Sequence, residues 1–142
     1  MPSPESVNWQ PISQMPLVAS MIDGALSDTR DHLETLTKAR GRPHVLDDAI
    51  IDRVERVHNE QLAFVDIYAE QLRRWCTERP SAAQQQELER LEAQNQRLRQ
   101  VTTDVLVLAA ELRKSTIERI MERSDLELGL QELLDGQPPA RR

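Results

Sequence analysis

Aromatic residues are scarce in this chain: one Phe, one Tyr and two Trp make up 3% of its 142 residues. Such a chain cannot fill a thick globular interior, so its core has to be slender. Glycine is also rare, at four residues. With few positions suited to sharp reversals, the elements have to be few and long. The single cysteine, Cys76, excludes an intramolecular disulfide, so folding does not depend on oxidation. Long apolar runs are missing too. The longest, Val105–Ala110, falls far short of the roughly 20 residues that span a bilayer. The opening MPSPESVNWQP has neither the basic segment nor the apolar run of a secretory signal. These absences point to a soluble cytoplasmic protein.

Lysine is nearly absent, with 2 Lys beside 16 Arg, a bias of the kind GC-rich bacterial genomes produce. The net charge of −6, with no Lys/Arg stripe interleaved with aromatics, argues against nucleic-acid binding. Helix faces of mixed sign argue against a membrane surface. No glycine-rich phosphate loop, Gly-x-Ser-x-Gly, Cys-x-x-Cys or His-Glu-x-x-His occurs. The expectation is therefore a protein without catalytic residues or cofactor.

What remains is a composition of 39% apolar and 30% charged residues, the balance of long amphipathic helices and coiled coils. The clearest element is Ser81–Arg123, which contains no proline and no glycine. Leu88, Leu91, Asn95, Leu98, Thr102, Val105, Ala109, Leu112 and Thr116 alternate by steps of three and four, an a/d heptad seam. Ser81 and Gln84 form a capping box at its start. From Val101 the flanks turn apolar as well, and even Val107, opposite the seam, is apolar. Full coverage of Val105–Ala110 demands a fourth element, from this chain or from a second copy.

Two earlier helices supply neighbours. The first runs from about 13 to 40, with Ser13 as N-cap, Pro16 in the first turn and Gly41 at the C′ position. Ile22, Leu26, Thr29, Leu33 and Leu36 form its stripe, extended backwards by Leu17, Val18 and Met21. Gly24 inside it suggests a close helix contact. The second runs from about 47 to 78, capped by Asp47 or Asp48. Ile51, Val54, His58, Leu62, Val65, Ala69, Leu72 and Cys76 mark its stripe, and Ile50, Val57, Phe64, Tyr68 and Trp75 widen it, as for a helix touching two neighbours. A second capping box, Ser124 to Glu127, predicts a short fourth helix over 125–134 that contains Gly129. Residues 1–11 read as a flexible tail with Trp9 capping the bundle end, and 136–142 as a disordered tail. The fold is thus an all-α, elongated, antiparallel three-helix bundle plus a short C-terminal helix, one domain over 12–135. Level matching across the short turns sets Leu33 opposite Val54 and Asn95 opposite Val65.

Four features invite a functional reading. Glu55 and His58 form one Glu-x-x-His motif, and Asp28 and His32 fall at the same height. Ferritin-like di-iron bundles need two such motifs and two further Glu, so the cluster is a candidate metal site set against a plain boundary cluster. Asn95 at an a position is suited to setting the register of the bundle. Cys76 has Arg73, Arg74 and Arg79 nearby in sequence, which would lower its pKa, but no partner for nucleophilic chemistry is evident. The fourth is apolar: Val107, Ile117, Ile120, Leu126, Leu130, Leu133 and Leu134, too many to be covered by three helices. The reading is a non-enzymatic bundle acting through protein–protein contacts and self-associating, as a dimer, through its third and fourth helices, or pairing with another helical protein. The alternatives are a metal-binding bundle and a chaperone or adaptor for a client helix.

Overall fold

The computed structural model describes residues 7–42 and 46–135, apart from the side chains at 118, 119, 123 and 135. Residues 1–6 of the tail expected over 1–11, the tail expected over 136–142 and the reversal residues 43–45 lie outside the described residues. Three helices follow in order: α1 (Met15–Arg40), α2 (Asp48–Cys76) and α3 (Ala82–Asp135). A short 3-10 turn, Ile12–Gln14, precedes α1. The fold is the expected all-α bundle.

Local chemistry explains most of the boundaries. Asp47 caps α2 by accepting from the Ile50 N–H at 2.9 Å. Ser81 and Gln84 exchange bonds across the first turn of α3, at 2.8 and 3.1 Å. Ser13 does not cap α1. It lies in the 3-10 turn, and Gln14 occupies the cap position with no side-chain bond. Gly41 ends α1 with φ −78, in the right-handed region, so it does not use the left-handed C′ conformation. The left-handed residue is Arg79, at φ 53, in the α2–α3 reversal. Pro80 disfavours the right-handed helical region for the residue before it.

The expected fourth helix is helical, but it continues α3, which runs as one helix of 54 residues. The Ser124–Glu127 pattern lies within it and starts no new element. At a rise of about 1.5 Å per residue, α3 is about 80 Å long, roughly twice α1 or α2.

α3 is the central strut. It packs along both α1 and α2, and those two approach each other less closely than either approaches α3. Three core layers run down the rod. The first joins Met15, Val18, Ile22, Leu72, Trp75, Leu88 and Leu91. The middle one joins Leu26, Val65, Leu98 and Val101. The last joins Leu36, Ile51, Val105, Leu108, Ala109 and Leu112, with Leu33 and Val54 packed against it, as the level matching expects. Ion pairs pin the edges of α3 to its neighbours: Arg90 to Asp23, Arg99 to Asp66, and Arg113 to Asp52 and Glu55. Because these pairs are exposed or half-exposed, they set alignment more than stability.

A polar layer crosses the middle of the core. The Gln61 amide donates to Thr29 Oγ1 and to Thr102 Oγ1, both at 2.8 Å, tying α2 to α1 and α3. Thr29 and Thr102 are fully buried, and each hydroxyl donates to the carbonyl four residues earlier. At the far end the incoming tail is clamped. Trp75 Nε1 and the Gln71 amide donate to the Gln10 carbonyl, and the Gln10 N–H donates to Gln71 Oε1 at 2.7 Å. Trp9 is half-buried and lies under the Arg74 guanidinium, 4.3 Å from its ring centre.

Gly24 makes no close helix contact. It faces outward, and a Cβ built there meets nothing within 4 Å.

Candidate interaction surface

The last buried residue of α3, among those described, is Thr116. Arg40 pairs with Glu111 and Arg113 with Asp52, so α1 and α2 come level with this part of α3 and end there. Residues 117–135 therefore extend about 28 Å beyond that level, and among the described residues neither α1 nor α2 runs alongside them. Leucine density makes this overhang unusual. Ile117, Ile120, Met121, Leu126, Leu128, Leu130, Leu133 and Leu134 are between 48% and 70% exposed. All seven residues expected as an interaction surface are among the exposed apolar residues.

The exposed residues form two stripes. Ile120, Leu126, Leu130, Leu133 and Leu134 prolong the seam that packs on α1 and α2 higher up. Val107, Ala110, Ile117, Met121 and Leu128 repeat by multiples of the helical turn on the outer face. Val107, expected to be covered on nearly all sides, is 55% exposed. The described residues leave it without full cover. Met121 and Leu128 belong to the same surface. Their signal was the outer stripe itself, which starts at Val107.

A second apolar surface lies opposite α3, where α1 and α2 stand apart. Ile50, Val57 and Phe64, one heptad apart on α2, are each more than 40% exposed. They were expected to touch a second neighbour, but α1 covers only Tyr68 and Trp75 from that widened face. Leu17 and Met21 of α1 are likewise exposed, and only Val18 of that extension is buried. At the end nearer the overhang the groove opens into a cavity of about 440 Å³, lined by Leu36, Leu46, Ile50, Val54 and Val57, with His32, His58 and Arg53.

The candidate metal residues are only partly assembled. His32 and His58 meet edge to face with ring centres 5.5 Å apart. His58 is buried, and its Nδ1 lies 2.7 Å from the Val54 carbonyl. Burial holds its pKa below the usual value, the neighbouring His32 acts in the same direction, and the Val54 carbonyl opposes both. Glu55 points the other way and binds Arg113. Asp28 is exposed. Among the described residues no group of three or more His, Cys, Asp or Glu side chains is placed to hold a metal ion.

Cys76 is not activated. Burial raises its thiol pKa first, and the carboxylates of Glu92, 3.5 Å from Sγ, and Glu89 raise it further. The arginines near it in sequence are outweighed by the acidic face of α3. Asn95 is buried and donates to the Val65 carbonyl at 3.0 Å, the facing pair expected from the level matching.

Among the described residues no helix is long and apolar enough to cross a membrane. No protein-family model, curated protein or solved structure matches the chain.

Proposed function

We propose that this protein is a non-enzymatic helical scaffold that works through protein–protein contacts and associates with itself through the C-terminal part of α3. One observation carries the reading: the overhang at 117–135 presents large, exposed apolar side chains around its circumference, and among the described residues neither α1 nor α2 covers them. Monomeric proteins rarely expose contiguous apolar surface of more than a few hundred Å². Helices in water draw most of their stability from packing an apolar face, and Gly129 weakens this one further. A partner supplies what the chain lacks. The alternation of acidic and apolar residues, with Glu122, Asp125, Glu127 and Glu132 among the leucines, suits a protein partner and not an anionic surface.

Light scattering after size exclusion tests this. The full chain is expected to run at twice its 16.3 kDa mass. A variant carrying Leu126→Gln, Leu130→Gln and Leu133→Gln is expected at the monomer mass with its bundle intact, because none of the three packs on α1 or α2. A full chain that stays monomeric at high micromolar concentration defeats the proposal.

A further inference from the structure

We infer that the cavity between α1 and α2 is a binding site for a small apolar carboxylic acid, a straight-chain monocarboxylate of medium length. The inference goes beyond the self-association proposed above and does not depend on it. Three observations support it.

The first is a buried nitrogen that faces the cavity. His58 is 4% exposed and is one of the lining residues. Its Nδ1 lies 2.7 Å from the Val54 carbonyl, which can only accept, so Nδ1 carries the proton. Burial disfavours a second proton on the ring. Nε2 is then an acceptor, and it has no hydrogen-bond partner among the described residues. It is not sealed in. Among those residues the buried side-chain N or O atom without a partner is Asn95 Oδ1. Nε2 therefore opens into the cavity, where a ligand can satisfy it.

The second is charge. The chain carries a net charge of −6, yet no Asp or Glu is among the cavity's lining residues, and Arg53 is. Arg40, Arg90, Arg99 and Arg113 are each tied to a carboxylate of another helix. Arg53 is in no such pair among the described residues. His32 of α1 stands beside His58 with ring centres 5.5 Å apart. The polar part of the wall is thus one guanidinium, two imidazoles and the Thr35 hydroxyl, and α3 adds no lining residue. That set suits an anion.

The third is the remaining wall. Leu36, Leu46, Ile50, Val54 and Val57 make it aliphatic, and the volume is about 440 Å³. Small-molecule sites commonly span roughly 300–1,000 Å³, with apolar walls and a few polar groups that fix orientation. An alkyl chain lies along the aliphatic wall, and the carboxylate turns toward Nε2 and Arg53. Free carboxylic acids are ionised at neutral pH, with pKa values of about 4. The pair therefore forms by taking one proton from solvent: carboxylate, neutral imidazole and H⁺ give carboxylate and imidazolium. The bound anion favours the charged ring.

Isothermal titration calorimetry of the full chain with sodium octanoate, at neutral pH in two buffers of different ionisation heat, reads this site. One octanoate per chain is expected, bound at least tenfold more tightly than 1-octanol, with net proton uptake seen as different heats in the two buffers. Arg53→Gln, at an exposed position, is expected to weaken octanoate at least tenfold and leave octanol unchanged. His58→Gln is expected to abolish the proton uptake. The assignment is overturned by the absence of saturable one-to-one binding, by equal affinity for octanoate and octanol, by octanoate affinity unchanged in Arg53→Gln, or by proton uptake that persists in His58→Gln. None of these results bears on self-association, which is read from the mass in solution.

Discussion

Asn95 donates from Nδ2 to the backbone carbonyl of Val65, across the α2–α3 interface, at 3.0 Å. Its other amide atom, Oδ1, is buried with no hydrogen-bond partner among the described residues. The pair is thus half satisfied. An orphaned buried acceptor costs about 1–3 kcal/mol, while a typical bond returns about 1 kcal/mol.

Asn95→Leu is therefore expected to stabilise the fold by about 1–2 kcal/mol, from the lost orphan and the added apolar burial. A polar a position commonly holds register and oligomeric order at the expense of stability. The same variant should accordingly show mixed species on size exclusion. Urea unfolding measures the first effect, and a lowered midpoint would mean that the amide is a net stabiliser.

Gln61 is the second polar anchor, and its two bonds to Thr29 and Thr102 join all three helices. Gln61→Ala removes both bonds and is expected to cost about 2 kcal/mol. Thr29→Val in the Gln61→Ala background should then cost less than Thr29→Val alone, because the two share one interaction. A double-mutant cycle with no coupling would contradict the layer.

His58 makes stability depend on pH. Its folded pKa lies below the usual 6.5, chiefly because burial disfavours the charged ring. The unfolded chain therefore takes up its proton first as pH falls. The contribution is complete above pH 6.5 and is lost as pH drops from there toward the depressed folded value. The urea midpoint of the native chain is expected to fall from pH 7.5 to 5.5, and that of His58→Gln to fall less. Parallel slopes for the two proteins would count against a neutral buried His58.

Gly24 sits mid-helix on the outer face of α1 with open space where a Cβ would go. Gly24→Ala is expected to stabilise by about 0.5–1 kcal/mol through helix propensity alone. Thermal unfolding at fixed concentration measures it. Destabilisation would mean that something packs on α1 there.

Local signals were the most legible in the sequence. The Asp47 cap, the Ser81–Gln84 box and the three–four seam from Leu88 to Thr116 each rest on neighbours within a turn or two, and each appears in the structure. Facing pairs such as Asn95 and Val65 were legible because short turns tie the level of one helix to the next. Ser124–Glu127 misled because a capping pattern marks a possible start, and nothing in it breaks a helix already running. Gln61 was missed because a residue one step off the apolar stripe looks like a wet flank. Ile50, Val57 and Phe64 read as buried because the pattern records which positions want cover and not whether the same chain supplies it. The same holds for Val107 and the overhang leucines.

That unmet demand is the centre of the account, and the mass of the particle in solution tests it most directly. Sedimentation equilibrium of the full chain from low to high micromolar concentration is expected to fit a monomer–dimer equilibrium converging on twice 16.3 kDa. A single species of 16.3 kDa across that range would contradict it.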